Sequence, residues 1–380
     1  MLEAWNLLAP HLARCEKLVL QVAHMDIFPA VPNLAFPFLM SFQYSVPEHH
    51  RVEDPPGTRG PQADWFWKAI NGAPQLRVLD LARSLPPIVA PYRQLISLTV
   101  FHRVPHSVES FLRILPSCRA LVSLSLDFPY CPPTVADAIE LPSLRELTFG
   151  TSLRIVPEVS ALEICCPKLI LPSLTKFRAT CSGWPPALST MLQRCAITLE
   201  ALTIKFCVFE SGTDSPGCIL DLLPSFFQLT DFALTLARVP NRDVPSHIVT
   251  NTFTSLLSKL NWLGVSSDSA TRCNLTLPKL QSVRLRFSDV DPNEHINRVL
   301  DVVSSRLQTE QAYCSLKYFH LSACKPWKFD QRPSLVVSEE ARERMQEFRK
   351  RGTHVVFDIS NFVLLEDFHR LLGRFVIWST

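Results

Sequence analysis

Glycine is scarce in this chain of 380 residues: there are 10, where average usage of roughly 7% would supply about 27. Phosphate cradles and dinucleotide folds need glycines clustered where backbone approaches a ligand, and neither G-x-G-x-x-G nor G-x-x-x-x-G-K-[ST] occurs. Nucleotide-dependent enzymes are disfavoured on that ground. Charge of one sign is also missing, because 38 Lys plus Arg against 35 Asp plus Glu leave only +3. That balance gives no electrostatic commitment to nucleic acid or to an anionic membrane. No apolar run approaches the ~18 residues that span a bilayer. The start, Met1-Leu2-Glu3-Ala4-Trp5, lacks the basic region and apolar stretch of a signal peptide, so an intracellular location, cytoplasmic or nuclear, is expected. None of the 12 cysteines forms C-x-x-C, and Cys165-Cys166 are adjacent, a poor spacing for one tetrahedral zinc. The thiols read as reduced and buried in a core. One sequon, Asn274-Leu275-Thr276, would matter only in a secreted chain.

What the chain does have is proline, 31 residues of it, and a composition 47% hydrophobic and 19% charged, which excludes general disorder. Its length exceeds what one globular core usually serves, leaving two domains or an elongated repeat array. Self-comparison selects the array. A phrase of the form Leu-x-x-apolar-x-apolar recurs from Leu39, Leu76, Leu95, Leu121, Leu144, Leu174, Leu199, Leu229, Leu260, Leu280 and Leu316, with a weaker copy from Cys15. The last apolar positions alternate with polar ones, the period of a strand with one buried face. Segments with helical spacing lie between, at 107–115, 187–194, 246–257 and 293–303. Several begin with Ser or Asn in a capping place.

Strand, return segment and strand again is the leucine-rich-repeat plan. The expected fold is therefore α/β, a leucine-rich-repeat solenoid with a curved parallel sheet, helices on the convex side and irregular repeats. Successive first leucines stand 19 to 37 residues apart, from Leu76 to Leu95 and from Leu39 to Leu76. The asparagine usual past such strands is replaced by Asp127, Cys207 or Ser288. Proline ahead of the strand, at Pro142, Pro172, Pro224 and Pro278, is expected to stop the preceding helix and force extended backbone. A polar, proline-rich stretch at about 47–62 reads as a loop inserted between repeats, and its His49-His50 pair as solvated surface rather than a metal site. Residues 339–351 are strong helix formers with acids first and bases last, Gly352 ends them, and 353–360 alternate as a last strand. Residues 1–337 thus form the repeat array, and 338–380 its helix and strand cap.

Leu-Pro-x-Leu-x-x-Leu, Phe-Leu-Arg-Ile-Leu-Pro116, Ser304-Ser-Arg306 and the entry segment Trp5 to Leu20 belong together in one pattern. In them the chain resembles the substrate-receptor region of fungal, basidiomycete-type F-box proteins. The resemblance implies a repeat domain that recruits a protein for ubiquitination, while an N-terminal F-box binds the Skp adaptor of a cullin ligase. Only four residues precede Trp5, so the F-box itself is absent from this sequence, and a Skp-type adaptor is expected only if one lies upstream. A stand-alone leucine-rich-repeat scaffold is the alternative, and a hydrolase with dispersed residues a weaker one.

Neither G-x-S-x-G nor H-E-x-x-H is present, and the local cluster His102-Arg103-Val-Pro-His106 has no partner carboxylate. No catalytic residue, cofactor or metal is expected, and the chain is read as a binder rather than an enzyme. A repeat sheet offers a long open face suited to protein recognition. The outward places of the phrases put Lys176, Arg178 and Lys205 on middle strands. Later strands add Arg284 and Arg286 near Trp262, Tyr318 and His320. Arginine and aromatic side chains commonly anchor interfaces, although exposed strand positions also carry Lys, Arg and Thr because these tolerate water. The expected partner is a protein, through an acidic or phosphorylated segment bound bidentately by the arginines, with no nucleic acid or membrane involved.

Overall fold

Two residues after the first leucine of nearly every phrase the backbone becomes extended and buried side chains alternate with water-facing ones. The computed structural model describes residues 7–21, 31, 33–45, 64–82, 91–101, 112–127, 138–150, 161–181, 184–208, 217–238, 246–261, 277–288, 292–307, 316–325 and 337–361. The chain divides into two units, Met1–Leu174 and Thr175–Thr380.

In the first unit six strands run parallel with neighbours in chain order: β1 (Lys17–Gln21), β2 (Ser41–Ser45), β3 (Val78–Ala82), β4 (Ser97–Phe101), β5 (Ser123–Asp127) and, after a two-residue strand β6 (Ile139–Glu140), β7 (Glu146–Gly150). Their register aligns Phe42, Leu79, Leu98, Leu124 and Leu147 in one inward row and Tyr44, Leu81, Val100, Leu126 and Phe149 in the next. Every member of these rows is 5% exposed or less, and each buried leucine contributes about 1.5–3 kcal/mol of burial. Helix α1 (Asp64–Asn71) adds Phe66, Ala69 and Ile70 at i, i+3 and i+4, all buried. The Phe66 ring lies 5.8 Å from Phe36 and 5.6 Å from Phe42. Helix α2 (Ala161–Cys165) precedes a second short strand, β8 (Leu169–Ile170), which pairs with β6 away from the main rows. That pair was not legible as strand, being only two residues on each side.

The second unit alternates strand and helix throughout. It contains β9 (Lys176–Cys181), α3 (Pro186–Cys195), β10 (Ala201–Val208), α4 (Gly217–Leu222), β11 (Asp231–Arg238) and α5 (Ser246–Leu260). These are followed by β12 (Ser282–Ser288), α6 (Pro292–Leu307), β13 (Tyr318–Lys325), α7 (Glu339–Lys350) and β14 (His354–Asn361). The six strands are again parallel and in chain order. Phe177, Leu202, Phe232, Val283 and Phe319 form one buried row, and Ala179, Ile204, Leu234, Leu285 and Leu321 the next. The helices cover the inward side: Phe253 of α5 meets Phe287 of β12 with ring centroids 4.6 Å apart, and His295 of α6 closes on Phe253 at 4.9 Å. With six ordered parallel strands in each unit and helices between them, the protein is of mixed α/β class.

The terminal helix follows its sequence closely. Ser338 accepts a hydrogen bond from the Ala341 amide at 3.2 Å, with Glu339 and Glu340 in the first turn and Arg349 and Lys350 in the last. Its end is a Schellman motif: the Thr353 amide bonds the Phe348 carbonyl at 2.9 Å and the Gly352 amide the Arg349 carbonyl at 3.0 Å. Gly352 has φ +85°, a conformation that a side chain would strain.

Two expectations are corrected. Proline ahead of a strand does not extend the chain; it makes a tight turn. The carbonyls of Leu141, Leu171 and Leu277, each just before proline, accept the amides of Leu144, Leu174 and Leu280 at 3.2 to 3.3 Å. Proline at the second place of a turn fixes φ and lacks the amide that would go unpaired there, so both flanking leucines face the core. Second, the phrase from Leu260 adds no strand between β11 and β12, and its residues 262–265 lie outside the described residues. Leu260 is the last residue of α5, buried with Leu256 and Leu257, and β11 pairs directly with β12. A leucine followed by another three residues on suits a helix as well as a repeat strand, and no proline separates the two here. The expected loop at 47–62 with its histidine pair, the 102–106 cluster and the sequon lie outside the described residues, as do residues 362–380 of the expected cap.

Candidate protein-binding face of the second unit

Strand alternation settles which side chains can meet a partner. With Phe177, Ile204, Leu285 and their neighbours turned to the helices, the intervening residues point away from them. Lys176, Arg178, Lys205, Arg284, Arg286, Tyr318 and His320 all lie on that outward side. Lys176, Arg178, Arg284 and Arg286 are exposed, whereas Lys205, Tyr318 and His320 are half-buried. Trp262 falls outside the described residues.

Register makes the arrangement explicit. One row runs Arg178, Thr203, Ala233, Arg284, His320, Val356; the next runs Thr180, Lys205, Thr235, Arg286, Ser322, Asp358. Small residues on β11, Ala233 and Thr235, therefore sit between Thr203 and Lys205 on β10 and the arginine pair on β12. Strands lie about 4.8 Å apart, so long cationic side chains border a lane of about 10 Å over β11. Lys176 and Tyr318 share a row but are four strands apart, about 19 Å, so the seven residues form a strip rather than one point.

Charge separates this face from that of the first unit. Here Lys176, Arg178, Lys205, Arg284 and Arg286 stand against Asp231 and Asp358. The outward places of the first unit carry Lys17 against Asp80, Asp127 and Glu146, among Ser41, Gln43, Ser97, Thr99, Ser123, Ser125 and Thr148. Burial pushes the Asp80 carboxyl above its usual range. An anion is favoured on the second face and opposed on the first.

His320 stands directly across from Arg284 and diagonal to Arg286 on one side and to Asp358 on the other. Burial lowers its pKa, Asp358 works against that, and Arg284 and Arg286 reinforce it. Its Nε2 is buried and has no hydrogen-bond partner among the described residues. Asp358 was not singled out from the sequence, although the rule that picks out His320 on β13 picks out His354, Val356 and Asp358 on β14.

The thiols behave as core groups. Cys165 and Cys166 are fully buried, and burial pushes the Cys118 and Cys195 thiols up to about 11. Among the described cysteines Cys15 is half-buried and Cys218 is exposed. Among the described residues, no three His, Cys, Asp or Glu side chains converge as a metal-holding group, and no helix is long and apolar enough to cross a membrane. In comparisons with known proteins, no family model and no curated protein matches the chain.

Proposed function

We propose that the chain is a leucine-rich-repeat solenoid that works as a protein-binding domain, taking an acidic segment of its partner on the outward strand face of the second unit. The observation that carries this reading is the register of Arg178, Lys205, Arg284 and Arg286 around the small residues of β11. Guanidinium groups give paired hydrogen bonds to carboxylate or phosphate, and the low side chains between them leave room for an extended strand of a partner. Resemblance of the repeat phrases to F-box receptors supplies the wider role, recruitment of a protein for ubiquitination.

The binding reading is tested with a fluorescent Glu-rich peptide titrated against the full chain. Reversal of Arg284 and Arg286 to glutamate is expected to weaken binding at least tenfold, since interface anchors commonly cost more than 1 kcal/mol each when lost. Reversal of Arg342, an exposed residue of α7 paired to Glu339 at 3.1 Å, is expected to leave it unchanged. Equal affinities for all three proteins overturn the assignment of the face. The ligase role is tested separately: co-purification of Skp adaptor and cullin with the natural full-length product supports it, and their absence favours a stand-alone scaffold.

A further inference from the structure

We infer that His320 couples anion binding on this face to the uptake of one proton: its imidazole is neutral while the face is empty and becomes a third cation beside Arg284 and Arg286 when an acidic segment binds. The inference rests on the acidic-segment reading of the same face. It starts from what surrounds the ring. Across β12 lie Arg284 opposite and Ser282 and Arg286 on the diagonals; across β14 lie Val356 opposite and His354 and Asp358 on the diagonals. On its own strand the neighbours on this face are Tyr318, whose ring is 6.1 Å away and tilted by 59°, and Ser322. Two cations and one carboxylate thus bear on an imidazole that is half-buried and whose Nε2 lacks a partner among the described residues.

In the empty face a proton on His320 would be held badly. It would be partly desolvated, it would face Arg284 and Arg286, and its second N–H would lack an acceptor; only Asp358 favours it. Burial first, then Arg284 and Arg286, set its pKa below the ordinary 6.5, with Asp358 working against them. A carboxylate laid over Arg284 and Arg286 reverses the balance, because it offsets their field and offers Nε2–H an acceptor. The imidazole pKa in the complex is then higher than in the free protein. Between the two values binding takes up a proton, so affinity rises as pH falls, by at most tenfold per pH unit for one proton. Above both values the ring is neutral in either state and the dependence vanishes.

The experiment is calorimetric titration of the full chain with a Glu-rich peptide that carries neither histidine nor phosphate. It is run at constant ionic strength at three pH values between about 7.5 and 5.8, where such carboxylates remain ionised, in two buffers of different protonation heat. Expected is a three- to tenfold gain in affinity over that range with measurable proton uptake. His320→Gln should show a flat profile whatever its affinity at the upper pH, which separates His320 from exposed His354. As a second readout, the His320 ring proton signal in the wild-type protein should titrate at higher pH with peptide than without. Peptide binding with no pH dependence, or with a dependence that His320→Gln retains, overturns this inference and leaves the binding reading standing. Failure of the peptide to bind at any pH overturns both.

Discussion

Arg306 is a buried cation in the second unit that bonds two backbone carbonyls far from it in the chain. It lies in the last turn of α6 and is 2% exposed. Its Nε donates to the Leu260 carbonyl at 3.0 Å and its Nη1 to the Leu277 carbonyl at 3.1 Å. Leu260 ends α5, so its carbonyl is one of the groups a helix leaves unsatisfied at its negative end. Leu277 has φ +58°, a conformation costly for a branched side chain, and it opens the Pro278 turn into β12. One guanidinium therefore fastens the two ends of the 261–277 connection. Replacing Arg306 by methionine keeps most of the volume and removes both donors. Each charge-assisted bond is worth about 1.5–3 kcal/mol, and relief of the buried cation returns part of that, so a net loss of about 3 kcal/mol is expected. Arg306→Lys keeps the charge but cannot span both carbonyls, and about half the loss is expected. Hydrogen exchange of β12 amides reads the effect directly: 3 kcal/mol corresponds to roughly a hundredfold faster opening. Exchange in Arg306→Met within about fivefold of wild type, or a lysine variant indistinguishable from wild type, would refute the two-ended clamp.

A Cβ on Gly150 would lie 2.9 Å from Cγ and 3.1 Å from Cβ of Asp127, so Gly150→Ala is expected to destabilise the first unit by about 1–2 kcal/mol in urea unfolding. Adding Asp127→Ala should recover most of that loss, and strictly additive effects would contradict the contact. Thiol alkylation of the folded chain at pH 8 should modify exposed Cys218 within minutes and spare Cys118 and Cys195, whose pKa of about 11 leaves roughly one thiolate per thousand. Labelling of either buried thiol at the rate of Cys218, read by peptide mass spectrometry, would remove them from the core.

Strand positions were legible because the physics behind them is local. From Leu39 to Leu316 every phrase described in full places its apolar residues inward, and the outward residues then follow by parity, which puts seven of the eight expected residues on the outward side. Leu260, at the end of α5, shows the limit of spacing alone: leucines three apart fit one face of a helix as readily as the repeat phrase. Two other features had no local signal. The two-residue pair β6 and β8 is too short to show alternation, and the role of Arg306 depends on carbonyls 46 and 29 residues away in the chain. The charge contrast between the two faces needed only the parity rule applied to every strand, including β14, where Asp358 completes the surroundings of His320.

Ladder strands in each unit follow chain order, with β6 passed over between β5 and β7, and each re-enters at the same ladder position whatever the spacer before it. Between β3 and β4 that spacer covers 83–96; between β11 and β12 it covers 239–281 and holds a fifteen-residue helix. Spacer length is thereby uncoupled from ladder alignment, so connections on the helix side can grow, shrink or be exchanged by evolution or by an engineer without shifting a single outward side chain out of its row.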